Sequence, residues 1–196
     1  AAGADISEFA EMDSDAALPL FEDNGWEAVW NICKPTIAMV DGFALGGGTE
    51  LALSCDIRIA SARSTFGQPE INLGLIPGGG GTQRLCRLIG YGRTMEIVLS
   101  GGMVKAEEAL KMGIVNRMVS PEDLESETMS LAEEISRKSP YTTRVAKRVV
   151  RGALELPFSE GVLMERSEFV ALLYTEDKEI VVRAFLERTE AHWLGR

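Results

Sequence analysis

Two glycine-bearing segments and two glutamates are the residues of this sequence whose types and spacing could do chemistry. Gly46-Gly47-Gly48 stands directly ahead of Thr49-Glu50-Leu51-Ala52-Leu53, and Gly3-Ala4-Asp5 lies near the first residue. Glycine leaves neighbouring backbone N–H groups unobstructed, and the first N–H groups of a helix have no intrahelical acceptor. Two such donors aimed at one point form an oxyanion hole, which stabilises negative charge growing on a carbonyl oxygen. Glu50 falls in the first turn of the expected helix, and Glu70 follows Pro69 between Phe66 and Ile71. A carboxylate among apolar groups tends toward a raised pKa and can serve as general acid or base. Each feature also has a plain explanation. A helix dipole favours an acid in its first turn, and Glu70 is one of 30 acidic residues. The residues by themselves leave both readings open.

Two nucleotide-binding patterns fail when tested. Counting from Gly42, a phosphate-binding loop needs Lys where Gly48 stands. A dinucleotide fingerprint started at Gly46 breaks at Leu51, and one started at Gly78 breaks at Gln83. Composition removes further classes. The 196 residues carry 20 Lys+Arg against 30 Asp+Glu, a net charge of −10. That balance opposes binding to nucleic acid or to an anionic membrane surface. His192 is the one histidine of the sequence, so a multi-His metal site has no ligands and a Ser-His-Asp triad has one terminal candidate. Cys33, Cys55 and Cys86 form no C-x-x-C pair and read as small core residues of a protein kept reduced.

The elements that must hold these groups can be read coarsely. A helix is expected over 15–33, with Leu18, Phe21, Val29 and Ile32 as its apolar positions, stopped by Lys34-Pro35. Residues 36–60 read as strand, turn, helix and strand, the pattern of a parallel crossover. A strand edge over 66–70 leads to a helix opening at Gly78–Gly81, then helices near 92–99 and 105–112 and a strand over 114–119. Beyond Ser120 the pattern is helical. Ser120-Pro121 and Ser139-Pro140 read as N-caps, and Val145, Val149, Val150 and Ala153 as one apolar face. The expected division is an α/β core over 1–120 and a helical region over 121–196.

Five segments in order resemble the enoyl-CoA hydratase/isomerase (crotonase) family. They are residues 1–6, Pro35 through Glu50, Cys55-Asp-Ile-Arg-Ile-Ala60, Phe66-Gly-Gln-Pro-Glu70, and Gly74 through Leu85. The resemblance implies an α/β fold, a crotonase-like (ClpP/crotonase) spiral of β-β-α turns with a C-terminal helical region that builds trimers. It implies that the Ala4 and Gly47 N–H groups form the oxyanion hole for a thioester carbonyl. Glu50 and Glu70 would hold water between them, with the Gly78 N–H assisting, and Ala2, Asp5, Ile6 and Phe185 would contact substrate. The implied reaction is hydration of a 2-trans-enoyl-CoA, with Glu50 as base toward water and Glu70 as the acid delivering the α-proton. Isomerases of the family typically lose the first of the two glutamates, so the intact pair favours hydration. A Δ3,Δ2-enoyl-CoA isomerase and a non-catalytic thioester binder are the alternatives. No cofactor is implied, since coenzyme A is part of the substrate, and no metal. A homotrimer or dimer of trimers in the cytoplasm is expected.

Departures from the family pattern weaken the nucleotide end of the site. Ser7 stands where the family often has Lys, Glu190 where a basic residue is common, and Ile180-Val181 where Glu-Gly is common. Phe185, Arg188 and Trp193 stand where the family covers the adenine, while Lys34 and Arg63 are unranked candidates for the phosphates. Family members also have strands ahead of the Gly3-Ala4-Asp5 loop that this sequence does not contain. Residues 1–196 alone are therefore expected to expose a sheet edge and to aggregate or bind coenzyme A weakly.

Overall fold

The computed structural model describes residues 1–3, 5, 7, 19–22 and 24–195. The expected helix over 15–33 is, among these residues, two short ones, α1 Pro19–Glu22 and α2 Gly25–Trp30. Asn24 makes the break. Its backbone is extended, and its side chain accepts from Glu27 N at 2.8 Å, so a new helix starts there. Val29 is partly buried and Ile32 is exposed.

The first four strands then alternate between two sheets. β1 Ile37–Val40 is followed by β2 Phe43–Leu45 and helix α3 Gly47–Ser54. β3 Ile57–Ser61 and β4 Thr65–Gly67 repeat the step. They lead through a 3₁₀ turn, Pro69–Leu73, to α4 Gly81–Ile89 and α5 Tyr91–Ser100. β5 Met103–Lys105, α6 Ala106–Met112 and β6 Arg117–Val119 complete the spiral. One sheet has the order β1-β3-β6, all parallel, with Ile37 opposite Ile57 and Ile59 opposite Arg117. The other has the order β2-β4-β5, with β2 parallel and β5 antiparallel to β4. The crossover read over 36–60 is the β1/β3 pair.

Two strands escaped the sequence reading. β2 and β5 have three residues each, too few for an alternation to declare itself. The strand read over 114–119 shortens to 117–119 for a different reason. The N–H groups of Gly113, Ile114 and Val115 all turn to the Ala109 carbonyl at 3.1, 2.8 and 3.2 Å. Ile114 and Val115 are thus buried as the C-terminal wrap of α6 and not as strand.

Phe66, Ile59, Leu85 and Ile114 are almost fully buried. Arg58, 5% exposed, donates to the carbonyls of Ile114 at 2.6 Å and Cys55 at 2.8 Å, so its buried charge has partners. None of the three cysteines is in a disulfide among the described residues, Cys33 being exposed and Cys55 and Cys86 partly buried. The expectation that they are core residues is corrected by that exposure.

The chain divides into two compact units. One comprises residues 1–32 and 36–129, the other 33–35 and 130–196. The division runs through α7 Leu124–Ser136. Ser120 caps the turn that precedes it, its hydroxyl accepting from Asp123 N at 3.2 Å. The second unit contains α8 Pro140–Gly152, α9 Phe158–Leu172 and α10 Glu176–Glu187. Ser139 caps α8, accepting from Thr142 N at 3.1 Å. The apolar face expected on α8 is narrower than the sequence suggested, because Val145 is buried while Val150 is 71% exposed. Asp177, 1% exposed in the first turn of α10, accepts from Ser139 Oγ at 2.5 Å. It also accepts from the backbone N–H groups of Leu194 and Gly195, at 2.7 and 3.0 Å. Among the described residues, no helix is long and apolar enough to cross a membrane.

Candidate active site

Gly46 begins the site. Its φ of 52° is a left-handed conformation that suits glycine, and it turns the chain from β2 into α3. Glu50 N then bonds the Gly46 carbonyl at 3.0 Å, closing the first turn and carrying the Glu50 side chain inward. Glu50 is 2% exposed. Gly81 N donates to its Oε1 at 2.8 Å, and the Gly79 N–H is a second donor. A Cβ on Gly79 would stand 2.8 Å from Glu50 Oε2, so this position admits only hydrogen.

Glu70 comes from the 3₁₀ turn after β4 and is partly buried. Its Oε1 lies 2.9 Å from where a Gly46 Cβ would be. Turned so that its nitrogen faces the carboxylate, which satisfies both groups, the amide of fully buried Gln68 donates to both Glu70 oxygens at 2.9 and 3.1 Å. Two glutamates separated by two strands therefore meet around the start of α3 and the loop 78–81. Burial is the main cause that pushes the Glu50 pKa upward, opposed by the Gly81 and Gly79 N–H groups and the Arg84 charge. Burial also pushes Glu70 upward, and the charge on Glu50 adds to it. The two carboxyl groups are thus close enough to sense each other.

Gly47 is the first residue of α3, so its N–H has no intrahelical acceptor. The opening residues run along β2. Ala1 N donates to Phe43 O at 2.9 Å and Leu45 N to Ala1 O at 3.1 Å. A Cβ on Gly48 would overlap the Ala1 carbonyl. Of the remaining residues read from the sequence, Ala4 and Ile6 lie outside the described residues. Ala2 and Asp5 are exposed, and Asp5 accepts from Ser7 Oγ at 2.7 Å, which lowers its pKa. Gly78 is exposed at the head of the loop whose next glycines hold Glu50. Phe185 is 82% exposed on α10, in the second unit. Arg63, read as a phosphate candidate, donates from Nε to Asp41 Oδ1 at 2.7 Å, and this pairing pulls Asp41 down to about 2. The Lys34 carbonyl accepts from Lys147 Nζ at 2.7 Å.

Several residues of the site were not read from the sequence. Gln68 falls in the strand edge read over 66–70, with no role of its own in the sequence. Gly79 and Gly81 fall in the expected helix opening and in the family-like segment Gly74 through Leu85, with no role of their own in the sequence. Trp26 donates from Nε1 to Gly47 O at 2.9 Å. Arg84 donates to Gly79 O at 2.6 Å, and its guanidinium carbon lies 4.9 Å from the centre of the Trp30 ring. The pair of tryptophans four apart on a short helix was the available signal, since that spacing puts both on one face.

A profile of the enoyl-CoA hydratase/isomerase family matches residues 1–196. The chain belongs to that family. A protein of Rhizobium meliloti named as a probable enoyl-CoA hydratase is 46% identical over 197 residues, covering 100% of this chain and 76% of the relative. A short-chain-enoyl-CoA hydratase of Clostridium acetobutylicum is 39% identical, covering 95% of this chain and 72% of the relative. The crystal structure of an enoyl-CoA hydratase from Bacillus anthracis superposes with a TM-score of 0.94 at 36% identity, over 100% of this chain and 76% of its own. The fold is the crotonase fold, and the alternation of strands between two sheets is its spiral. In this enoyl-CoA hydratase/isomerase the two glutamates thus stand one turn of the spiral apart.

Proposed function

We propose that the protein hydrates 2-trans-enoyl-CoA thioesters to 3-hydroxyacyl-CoA, with Glu50 and Glu70 as the catalytic pair. The observation that carries this reading is the convergence of the two carboxyl groups beside the start of α3. The Gly47 N–H, with that of Ala4, receives the thioester oxygen and stabilises enolate-like charge on it. Glu50, ionised, takes a proton from water as the new C–O bond forms at C3. Glu70, protonated, gives its proton to C2. Transfer of a proton from Glu50 back to Glu70 restores the pair, so one water is added in total. The division follows what holds each group. Glu50 accepts two backbone N–H bonds and faces Arg84, which oppose the upward push of burial, while the charge on Glu50 raises Glu70 against the Gln68 donation that favours its charged form.

The chemistry rests on carboxyl groups and N–H donors of the chain, with coenzyme A as part of the substrate. The Gly78 N–H, Ala2, Asp5, Ile6 and Phe185 are the remaining proposed contacts to water or substrate. A homotrimer or dimer of trimers is proposed. Its support is the large apolar side chains left exposed in the second unit, with Phe158 at 88%, Leu163 at 63% and Phe169 at 63%. A cytoplasmic setting goes with three cysteines that form no disulfide among the described residues.

Crotonyl-CoA hydration, followed by loss of the conjugated thioester absorbance, tests the reading. Glu50→Gln and Glu70→Gln are each expected to lower kcat by about 10²–10⁴-fold. Near-native rates in both variants would overturn the roles. Turnover of a 3-enoyl-CoA that survives Glu50→Ala, with no hydration by the wild type, would show an isomerase instead.

A further inference from the structure

Trp26 stands between the two halves of the site. Its ring fills the space that a side chain at Gly47 or Gly79 would need. A Cβ on Gly47 would lie 3.1 Å from Trp26 Cζ2, and one on Gly79 would lie 2.6 and 2.7 Å from Cδ2 and Cε2. Its indole N–H is bonded to the Gly47 carbonyl. One rigid ring therefore touches both the residue offering the oxyanion N–H and the loop whose N–H groups hold Glu50. Trp30, one turn later on α2, lies against Arg84, and Arg84 donates to the Gly79 carbonyl. Helix α2 thus meets the loop twice, through an indole and through a guanidinium.

Resting on the hydratase reading, we propose that Trp26 is a positioning residue for the reaction. It sets the spacing between the Gly47 N–H and the Glu50 carboxylate, and it keeps bulk water from Glu50. A displacement on the order of 1 Å between reacting groups can cost 10²-fold in rate. Neither contact is covalent or metal-bound, so the register of the two glycine segments depends on a ring that both can pack against. Water exclusion follows from the same placement, because the point where a Gly79 Cβ would meet the Trp26 ring is also 2.8 Å from Glu50 Oε2. Removing the indole admits solvent there and returns Glu50 toward the ordinary carboxylate range. The charged groups that bear on Glu50 are Glu70 from the 3₁₀ turn and Arg84 from α4. Glu27 on α2 and Arg87 on α4 are exposed, and β2 carries no titratable side chain.

Two variants test the proposal. Trp26→Phe keeps a ring and loses the N–H donor, and kcat is expected to fall roughly 3- to 10-fold with KM little changed. Trp26→Ala is expected to lose on the order of 10²-fold in kcat. Its acid limb in the pH–rate profile should move to lower pH, together with the Glu50 carboxyl titration followed by ¹³C NMR without substrate. A Glu50 titration unchanged in folded Trp26→Ala overturns the proposal. If Trp26→Ala does not fold, Trp26→Phe decides, since wild-type kcat in it overturns the proposal and a lower kcat at unchanged Tm supports it. Absence of hydration by the wild type would sink the hydratase reading alone, because the carboxyl titration reports on the indole without turnover.

Discussion

Glu50 and Glu70 share a buried setting, and that burial has a thermodynamic consequence. Both are pushed upward mainly by burial, so folding disfavours their charged forms. For an acid with a raised folded pKa, the unfolded state loses its proton first as pH rises. Below the unfolded value both states are protonated and no penalty exists. As pH climbs through the folded value the native state loses stability. Glu50→Gln removes an ionisable group from a site 2% exposed. Its Tm is therefore expected to gain on the wild type as pH goes from 4 to 8, while its activity collapses. Thermal melts of both proteins across that range check this, and a gap that narrows with rising pH would refute it. Gly79→Ala probes the same spot sterically. The added methyl meets the Trp26 ring and the Glu50 carboxylate at once, and overpacking of this kind costs about 1–3 kcal/mol. Denaturant unfolding and turnover should fall together in that variant.

At the scale of elements, the second unit is closed by a single carboxylate. Asp177 joins the cap of α8 to the first turn of α10 and to the backbone at 194–195. Burial alone would raise its pKa, but the Ser139 hydroxyl and the two N–H donors outweigh burial and hold it below the usual carboxylate value. A depressed pKa contributes stability that is present above the unfolded value and lost as pH falls through the folded one. Asp177→Ala strands a buried hydroxyl and two N–H groups, an expected loss of about 1–3 kcal/mol. Hydrogen exchange at Leu194 and Gly195 should quicken well before exchange in the middle of α9, and unaltered protection there would contradict the assignment. None of this is legible in the sequence, because contacts spanning 38 and 17 positions leave no periodic trace. What the sequence did show was local. The Ser139 cap announces itself within four residues, and the β1–α3–β3 crossover is bracketed by Pro35, Gly42 and Asp56. Glu50 and Glu70 stood out by type and apolar setting, whereas Gln68 and Trp26 became meaningful only through partners brought near by the spiral. β2 and β5 exist because a neighbouring strand accepts them, so three residues of their own sequence could not declare them.

Over the whole molecule, the exposed apolar side chains are unevenly shared. In the second unit, α9 and α10 leave Phe158, Leu163, Phe169, Phe185 and Leu186 each more than half exposed. Patches of this kind on a soluble surface mark association. Replacing Phe169 with Asp is expected to shift the protein toward a smaller assembly in sedimentation, with the far-ultraviolet spectrum unchanged. A monomeric wild type would remove the basis for the proposed trimer. A different consequence follows from the way the opening residues are docked. Ala1 is tied to β2 through main-chain groups, and its carbonyl occupies the space beside Gly48. Every other amino acid brings a Cβ to Gly48, so no conservative exchange exists there. At Ala1 the contact is made by backbone atoms common to nearly all residues. Natural variation at the two positions should therefore be lopsided, with drift permitted on one side of the contact and forbidden on the other. A saturation library scored for growth or turnover would show a row of failures at Gly48 facing a tolerant column at Ala1.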